Sequence, residues 1–353
     1  MNDLLAATAA LMAIPSLSHA EEEIADFVEE RLRPCAWLRV ERIGDNVVAR
    51  TALGRPQRLV LAGHLDTVPP NHNAEPKVDG DVLWGLGASD MKGGLAVMLE
   101  LATTTDAPSM DLTWCFYATE EVGRADSGLL QLWEERPELL AGDAAILGEP
   151  TAALVEAGCQ GTMAARITLS GVRAPTARPF TGRNAIHRLA PLLDKVAGWE
   201  SRAVVLDGCA YAEQLQAVAV EGGVAGNVVP DSASVTVNFR YAPDRTLADA
   251  EAYLRGLLAG TFSEDEGDGW VLIDGADGAP PSLGHPLLAA LVARTGAAPT
   301  AKVGWTDVAS FWEHGVPAAN FGPGDPLLAH HPDERVTRAQ LERAHAVLAA
   351  LLA

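Results

Sequence analysis

The sequence predicts a discontinuous α/β domain that is interrupted by an inserted α+β domain, and three observations lead to this prediction. Helix and strand patterns alternate through residues 1–156. The middle of the chain follows a β-α-β-β-α-β-like order, with strands that alternate apolar and polar residues as in a half-exposed antiparallel sheet. The carboxyl-terminal region then returns to helix and strand. We therefore assign residues 1–156 and 269–353 to the first domain and residues 157–268 to the insert.

The amino-terminal region predicts two helices and a turn. Leu4 to Met12 is apolar and favours a helix, which Pro15 ends because proline cannot continue it. Ser18 followed by Glu21 has the form of a capping box, which predicts a second helix that reaches residue 32. Residues 44–46, Gly-Asp-Asn, predict a turn between two β-rich segments.

Three short apolar runs of the first domain each end two residues before an ionisable residue. The pairs are Arg58 to Ala62 before His64, Leu112 to Ala118 before Glu120, and Ala144 to Leu147 before Glu149. Functional sites of open α/β sheets form at the carboxyl ends of strands, so we expect these side chains to share one site. A helix predicted from Met91 to Thr104 begins directly after another acid, Asp90.

The insert predicts an antiparallel sheet with two helices. Strands are expected at residues 162–169, 215–220 and 234–239, and helices at residues 184–196 and 247–258. The acidic, glycine-rich residues 263–269 predict a loop near the exit of the insert.

Composition narrows the classes of function. The 353 residues include 47 acidic and 26 basic side chains, a net charge of −21 that repels nucleic acid and anionic membranes. The four cysteines form no close pair, which argues against a thiolate zinc site and favours a reducing compartment. The amino terminus lacks the basic start of a signal peptide, and the apolar runs are too short to span a bilayer. We expect a cytoplasmic protein that binds neither nucleic acid nor membrane.

The ionisable residues predict a metal site. In an extended segment Asp66 points the same way as His64 and can orient its imidazole. The set of possible ligands is His64, Asp90, the adjacent pair Glu120 and Glu121, Glu149, and His330 in the segment AHHPDE. Oxygen and nitrogen ligands suit zinc, cobalt or manganese. The set is too large for one open tetrahedral site, and it fits two metal ions that share Asp90 and activate a water.

Seven stretches of the chain carry a resemblance to a known family. They are GHLDTVP at 63–69, GLGASDMKGG at 85–94, ATEEVG at 118–123, GEPT at 148–151, ARPFTGRNAIH at 177–187, GNVVPD at 226–231 and AHHPDERV at 329–336. With these the chain resembles the di-zinc aminoacylase/carboxypeptidase metallohydrolases over nearly its whole length. The resemblance implies a di-zinc exopeptidase-like catalytic domain and a ferredoxin-like lid that commonly mediates dimerisation.

The resemblance also implies a role for each residue of the site. His64, Asp90 and Glu149 are expected to hold one metal ion, and Asp90, Glu121 and His330 the other. In addition, Asp66 would orient His64, and Glu120 would act as the general base. Between the two adjacent histidines we choose His330, because the family places its last histidine four residues before a glutamate, here Glu334.

Substrate and partners are likewise implied by the resemblance. The resemblance extends to enzymes that hydrolyse N-succinyl-LL-2,6-diaminopimelate, a small anionic N-acyl amino acid, on the route to lysine. It implies bound zinc or cobalt and a homodimer. Arg178 or Arg240 would bind a substrate carboxylate. Asn227 would hydrogen-bond to the transition state, and Thr306 would border the pocket. The alternatives are an acetylornithine deacetylase-like enzyme, a carboxypeptidase, or a metal-binding homologue with impaired catalysis.

One segment departs from the family pattern. The lid of the family carries a histidine in A-H-[ST]-A-x-P, which reaches the active site of a partner subunit and donates to the oxyanion. In this sequence Pro175 occupies that position, and proline offers no donor. The departure bears on turnover and leaves the metal ligands unaffected.

Overall fold

The computed structural model describes residues 3–353 and divides into two compact units. The first unit comprises the residues up to Gly158 together with Pro281–Thr300 and Thr306–Ala353. The second unit comprises Cys159–Pro280 and Ala301–Trp305. No helix within residues 3–353 has the length and apolar character needed to cross a membrane.

Helices and strands alternate along most of the chain. The α-helices are α1 Leu4–Met12, α2 Glu22–Leu32, α3 Lys92–Thr104, α4 Gly128–Glu135, α5 Pro137–Leu140, α6 Ala185–Ala197, α7 Leu247–Leu257, α8 Pro286–Thr295, α9 Val308–Glu313 and α10 Arg338–Leu352. The strands are β1 Arg39–Ile43, β2 Asn46–Arg50, β3 Arg58–His64, β4 Lys77–Asp79, β5 Val82–Trp84, β6 Asp111–Tyr117, β7 Ala144–Leu147, β8 Glu156–Ala157, β9 Gly161–Ser170, β10 Ala174–Pro175, β11 Ala203–Leu206, β12 Cys209–Ala212, β13 Gln214–Gly222, β14 Val228–Val229, β15 Ser232–Tyr241, β16 Gly269–Ala276, β17 Thr300–Ala301, β18 Ala318–Asn320 and β19 Arg335–Thr337.

An eight-stranded sheet of order β1-β2-β6-β3-β7-β18-β8-β17 runs through the first unit. Its four central strands, β6, β3, β7 and β18, are parallel. Every residue of β6 and β7 is buried, as is every residue of β3 after Arg58. Strands covered on both faces need apolar side chains in both directions, which explains why they form continuous apolar runs.

Helices α1, α2, α3, α8 and α10 share one apolar core with the central strands. Helix α3 comes unusually close to the end of β7 at Gly94. A Cβ atom at that position would lie 2.2 Å from the carbonyl oxygen of Gly148. Glycine therefore permits the contact, which brings the start of α3 next to the residues that follow β7.

The second unit contains a four-stranded antiparallel sheet of order β13-β15-β9-β16. Its elements follow the order β9-α6-β13-β15-α7-β16, which is β-α-β-β-α-β. Buried and more exposed residues alternate along β9 and β15, and α6 and α7 contribute to the core beneath them. Two short ribbons, β10 with β14 and β11 with β12, were not anticipated from the sequence.

Two details differ from the sequence-based expectations. Strand β16 pairs with β9 in this sheet, whereas the division at residue 268 assigned it to the other domain; the backbone ladder, with Trp270 opposite Ile167, holds it there. The capping box at Ser18 and Glu21 is wrong. Helix α2 has no side-chain cap bond, and the Ser18 hydroxyl donates to Asp66 Oδ2 at 2.7 Å instead.

Candidate metal centre

Three adjacent parallel strands deliver ionisable residues to one edge of the sheet. His64 is the last residue of β3 and stands opposite Tyr117, the last residue of β6. The chain beyond β6 carries Glu120 and Glu121, and the chain beyond β7 carries Glu149. Because these strands are parallel and neighbouring, their carboxyl ends meet, as the strand-end pattern of the sequence predicted.

Asp90 reaches this edge from the loop before α3. His64 Nε2 lies 3.1 Å from Asp90 Oδ1, and His330 Nε2 lies 3.6 Å from Asp90 Oδ2. The imidazole of His330 also lies 2.9 Å from Glu121 Oε1. Asp90 therefore presents one carboxylate oxygen to each of two histidines.

The possible ligand atoms form overlapping groups. His64, Asp90 and Glu149 each offer one such atom, and these atoms all lie within 4.8 Å of one another. The same holds for Asp90, Glu121 and His330. A further group joins His64 to both glutamates of the pair at 120 and 121. Asp90 is common to the first two groups.

The two adjacent histidines differ in their surroundings. His330 has a φ of +61° and turns its ring toward Glu121. The His331 ring accepts the backbone N–H of Asp333 at 3.1 Å, and its carbonyl accepts from Asn73 Nδ2 at 3.2 Å. Only His330 of the two belongs to a possible ligand group in the described part of the chain.

Asp66 is fully buried and connects the two sides of the site. His64 Nδ1 lies 3.4 Å from Asp66 Oδ1 and 3.1 Å from the Asp66 carbonyl oxygen. The two carboxylate oxygens of Asp66 accept the backbone N–H groups of Glu120 and Glu121, each at 3.0 Å. One carboxylate thus orients an imidazole and also the turn that carries both glutamates.

The pKa directions reflect crowded carboxylates. Burial raises the pKa of Glu120 well above its ordinary value; the imidazole of His64 opposes this, while neighbouring Glu149, Asp307 and Glu121 add to it. Burial alone would lower the pKa of His64, but its hydrogen bonds to Asp66 and Asp90 raise it well above the ordinary value.

The surroundings of His330 carry the same excess of negative charge. Its hydrogen bond to Glu121 raises the pKa of His330 to about 9, although partial burial acts in the opposite direction. Buried carboxylates that outnumber the basic groups beside them are stabilised by a bound cation. The oxygen and nitrogen donors around Asp90 therefore fit divalent metal ions.

The candidate substrate residues lie in different surroundings. Arg178 and Asn227 are exposed residues of the second unit, and Arg240 lies partly buried in its β15, where burial lowers the pKa of its guanidinium. Thr306 belongs to the first unit and is buried, with its hydroxyl donating to Asn320 Oδ1 at 3.0 Å.

Sequence reasoning missed the buried acids that support this centre. Glu21 accepts the backbone N–H of Thr119, and Glu334 accepts those of Ser89 and Asp90. The Ser-x-x-Glu pattern that signals a capping box hid the first of these roles. The role of Glu334 did have a sequence signal, namely its fixed spacing from His330. That spacing served only to choose between the two adjacent histidines.

A parallel sheet that presents carboxylates and histidines at its carboxyl edge is typical of a metal-dependent hydrolase. Comparison with known proteins agrees. The family model described as Peptidase family M20/M25/M40 matches residues 60–353, so the chain belongs to this family.

Relatives and solved structures extend this comparison. The chain is 49% identical over 335 residues to a putative succinyl-diaminopimelate desuccinylase of Mycobacterium tuberculosis, covering 95% of this chain and 93% of the relative. It is 43% identical over 355 residues to the succinyl-diaminopimelate desuccinylase of Corynebacterium glutamicum, with coverages of 99% and 95%.

A tripeptidase from Staphylococcus aureus shares the fold with a TM-score of 0.82 at 20% identity, covering 99% of this chain and 97% of that one. A dinuclear metal-binding M20 peptidase from Bacillus subtilis gives a TM-score of 0.70 at 16% identity, with coverages of 99% and 96%. At these identities the two likenesses concern the fold.

Proposed function

We propose that this chain is a metal-dependent amide hydrolase that cleaves N-succinyl-LL-2,6-diaminopimelate into succinate and LL-2,6-diaminopimelate, a step toward lysine. One observation carries the proposal. Asp90 belongs both to the group with His64 and Glu149 and to the group with Glu121 and His330. The substrate comes from the desuccinylase names of relatives that match nearly the whole chain.

We assign His64, Asp90 and Glu149 to one divalent ion, and Asp90, Glu121 and His330 to a second, with zinc as the expected metal and cobalt as a substitute. When bound, such ions acidify a water and polarise the amide carbonyl. Asp66 holds His64 in the orientation that directs its Nε2 toward Asp90.

Glu120 acts as the general base in this proposal. Its carboxylate takes a proton from the attacking water, whose oxygen forms a bond to the amide carbon. The carbon–nitrogen bond then breaks, and Glu120 delivers the same proton to the leaving amine nitrogen. Burial and neighbouring carboxylates, which raise the pKa of Glu120, make it a stronger base than an exposed glutamate.

Arg178 and Arg240 are our candidates for binding the substrate carboxylates, because a guanidinium pairs with a carboxylate through two parallel hydrogen bonds. In this proposal Asn227 hydrogen-bonds to the transition state, and Thr306 lies at the border of the pocket. Arg240 is the more specialised of the two arginines, since partial burial disfavours its charge and an anionic ligand would compensate.

We further propose a homodimer formed through the second unit. Strand β13 is an edge strand, and Val218 and Val220 on it are 59% and 55% exposed. A long exposed edge with apolar side chains favours pairing with a second copy. Sedimentation of the protein and of a Val220→Lys variant tests this: the variant should be monomeric, and a monomeric parent protein would contradict it.

A cytoplasmic location stays a prediction from composition.

Kinetics with matched acyl groups test the substrate. We expect kcat/KM for N-succinyl-LL-2,6-diaminopimelate to exceed that for the N-acetyl derivative of the same amine by more than roughly 200-fold, the upper range for one methylene, because the charged carboxylate of the succinyl group is recognised. The Glu120→Gln protein supplies the background rate. Equal kcat/KM for succinyl and acetyl substrates would remove the desuccinylase assignment and leave a wider N-acyl amino acid hydrolase.

A further inference from the structure

The turn that follows β6 is held by side chains rather than by a neighbouring strand. Four successive backbone N–H groups there each donate to a side-chain oxygen. The pairs are Ala118 to Asn46 Oδ1 at 2.9 Å, Thr119 to Glu21 Oε1 at 2.9 Å, Glu120 to Asp66 Oδ1 at 3.0 Å and Glu121 to Asp66 Oδ2 at 3.0 Å.

The local backbone explains why these acceptors are needed. Strand β6 ends at Tyr117, and Thr119 has a φ of +58°, so the chain turns out of the regular ladder. Ala118 and Thr119 are only 6% and 7% exposed, which keeps water from their backbone groups. Buried N–H groups without an acceptor are costly, so the acceptors fix the course of this turn.

Glu21 lies in a segment that is tied to the metal-ligand side of the site. Ser16 and Thr67 are joined by the Thr67 N–H, which donates to the Ser16 carbonyl at 2.8 Å. The Ser16 hydroxyl donates to the carbonyl of Leu65 at 2.8 Å. The Ser18 hydroxyl donates to Asp66 Oδ2 at 2.7 Å. The same short segment therefore fixes one acceptor of the turn, Asp66, and supplies another, Glu21, which is 0% exposed.

We infer that Glu21 and Ser18 are positioning residues for Glu120. They act through Thr119 and Asp66, and they set the place from which the Glu120 carboxylate reaches the attacking water. A role in helix capping does not account for them, because α2 begins at Glu22 without any side-chain cap bond. The inference rests on the proposed function for its catalytic part, whereas its structural part concerns the turn alone.

The central experiment compares Glu21→Ala with Glu21→Gln. The amide oxygen of glutamine can still accept the Thr119 N–H, whereas alanine removes the acceptor. Glu22→Ala is the matched control, because Glu22 is the exposed next residue and also carries an acidic side chain at the start of α2.

Amide hydrogen exchange followed by mass spectrometry gives a readout that needs no activity. In Glu21→Ala we expect the peptide over residues 118–127 to exchange roughly tenfold faster, which corresponds to the loss of one hydrogen bond. Glu21→Gln and Glu22→Ala should exchange like the parent protein. Unchanged exchange at residues 118–127 in Glu21→Ala overturns the inference, whatever the substrate of the enzyme is.

Kinetics with metal analysis test the catalytic part. Glu21→Ala should lower kcat roughly ten- to a hundredfold, as misplacement of a catalytic group does, while KM and metal content stay unchanged. Glu21→Gln should restore most of kcat. A loss of bound metal that tracks the loss of kcat would overturn the positioning role. Should Glu21→Ala fail to fold, Ser18→Ala takes its place in both measurements, because it removes only the hydroxyl that holds Asp66.

A failure of the proposed function is recognised separately. It would appear as absent turnover of succinyl and acetyl substrates by the parent protein, with the exchange result still deciding whether Glu21 holds the turn.

Discussion

The Glu334 carboxylate accepts the backbone N–H of Asp90 at 3.0 Å, although the two residues are 244 positions apart in the chain. The same oxygen accepts the N–H of Ser89 at 2.9 Å, and Glu334 is only 1% exposed. The carboxyl-terminal segment that carries His330 thereby also fixes the loop that carries Asp90. This arrangement brings two acids close together. Burial and the charge of Asp90 therefore raise the pKa of Glu334 to about 7.

Replacement of Glu334 should therefore weaken metal binding. In Glu334→Ala the backbone of Asp90 loses its acceptor, and we expect metal affinity to fall roughly 10–100-fold, the usual effect of losing a group that orients a ligand. Calorimetric titration of chelator-treated protein measures this. Glu334→Gln keeps an acceptor oxygen and should lose less, and Glu342→Ala, an exposed change on α10, should lose nothing. Unaltered affinity in Glu334→Ala would contradict the expected role.

Metal content should be two divalent ions per chain. His64→Ala removes a ligand from one group and His330→Ala from the other, so each variant should lose part of the metal. Elemental analysis after dialysis measures the ratio, and His72→Ala, which changes an exposed histidine, serves as the control. If both ligand variants kept two tightly bound ions, the ligand assignment would be wrong.

Glu120→Gln should keep the metals and lose turnover. The amide has the same shape as the carboxylate but cannot take a proton from water, and loss of a general base typically costs about 10²–10⁴ in rate. Turnover and metal content are measured together, with Glu134→Gln on the exposed side of α4 as the control. Near-normal turnover in Glu120→Gln would mean that another residue is the base.

Much of the fold followed from the sequence because its strands are buried on both faces. Uninterrupted apolar runs such as Ala144–Leu147 can be recognised without knowledge of their neighbours, and the ionisable residue after each run marks the edge of the sheet. Helix α1 was predicted with its observed bounds, since its apolar residues and Pro15 are local signals.

Contacts between distant segments could not be predicted in this way. Ser18 and Glu21 match a local capping pattern, but their partners are Asp66 and Thr119, which only the folded chain brings near. Strand β16 follows an acidic, glycine-rich loop that resembles a domain exit, and only its pairing with β9 shows where it belongs. Local patterns compete with tertiary contacts, and here the tertiary contacts prevailed.

Asp268, at the end of that acidic loop, should make stability depend on pH. Its side chain is 0% exposed and pairs with Arg188 at 2.6 Å. Burial alone would raise the pKa of Asp268, but the Arg188 guanidinium and two backbone N–H groups lower it to about 2. Because this lies below the unfolded value of about 3.9, the contribution is present above pH ~4 and is lost as the pH falls toward 2.

Urea unfolding measures the effect. At pH 7 Asp268→Asn should lower the free energy of unfolding by about 3–5 kcal/mol, the usual result of breaking a buried pair, and the difference should shrink near pH 3. Glu266→Gln is the control, because Glu266 also faces Arg188 but its side chain is 56% exposed, which limits its effect to about 1 kcal/mol. A difference that is equal at both pH values would contradict the assigned ionisation.

Pro175 should limit the turnover of the parent protein. It is exposed in the ribbon of β10 and β14, opposite Val228, and the next residue, Thr176, donates its N–H to the carbonyl of Asn227 at 3.0 Å. The resemblance to the metallohydrolases places an oxyanion-donating histidine at this position, and proline has no donor. We therefore expect slow turnover in the parent protein and a higher kcat in Pro175→His.

The size and the selectivity of this gain distinguish the donor from a change in the loop. One oxyanion donor is worth about 10²–10³ in kcat, and the gain should appear in kcat rather than in KM because the oxyanion exists only in the transition state. Pro175→Ala is the matched control, since it releases the fixed φ of proline without adding a donor. Steady-state kinetics of the three proteins with saturating metal decide between the explanations. An equal gain in the alanine variant would assign the effect to backbone freedom, and an unchanged kcat in Pro175→His would show that position 175 has no catalytic role.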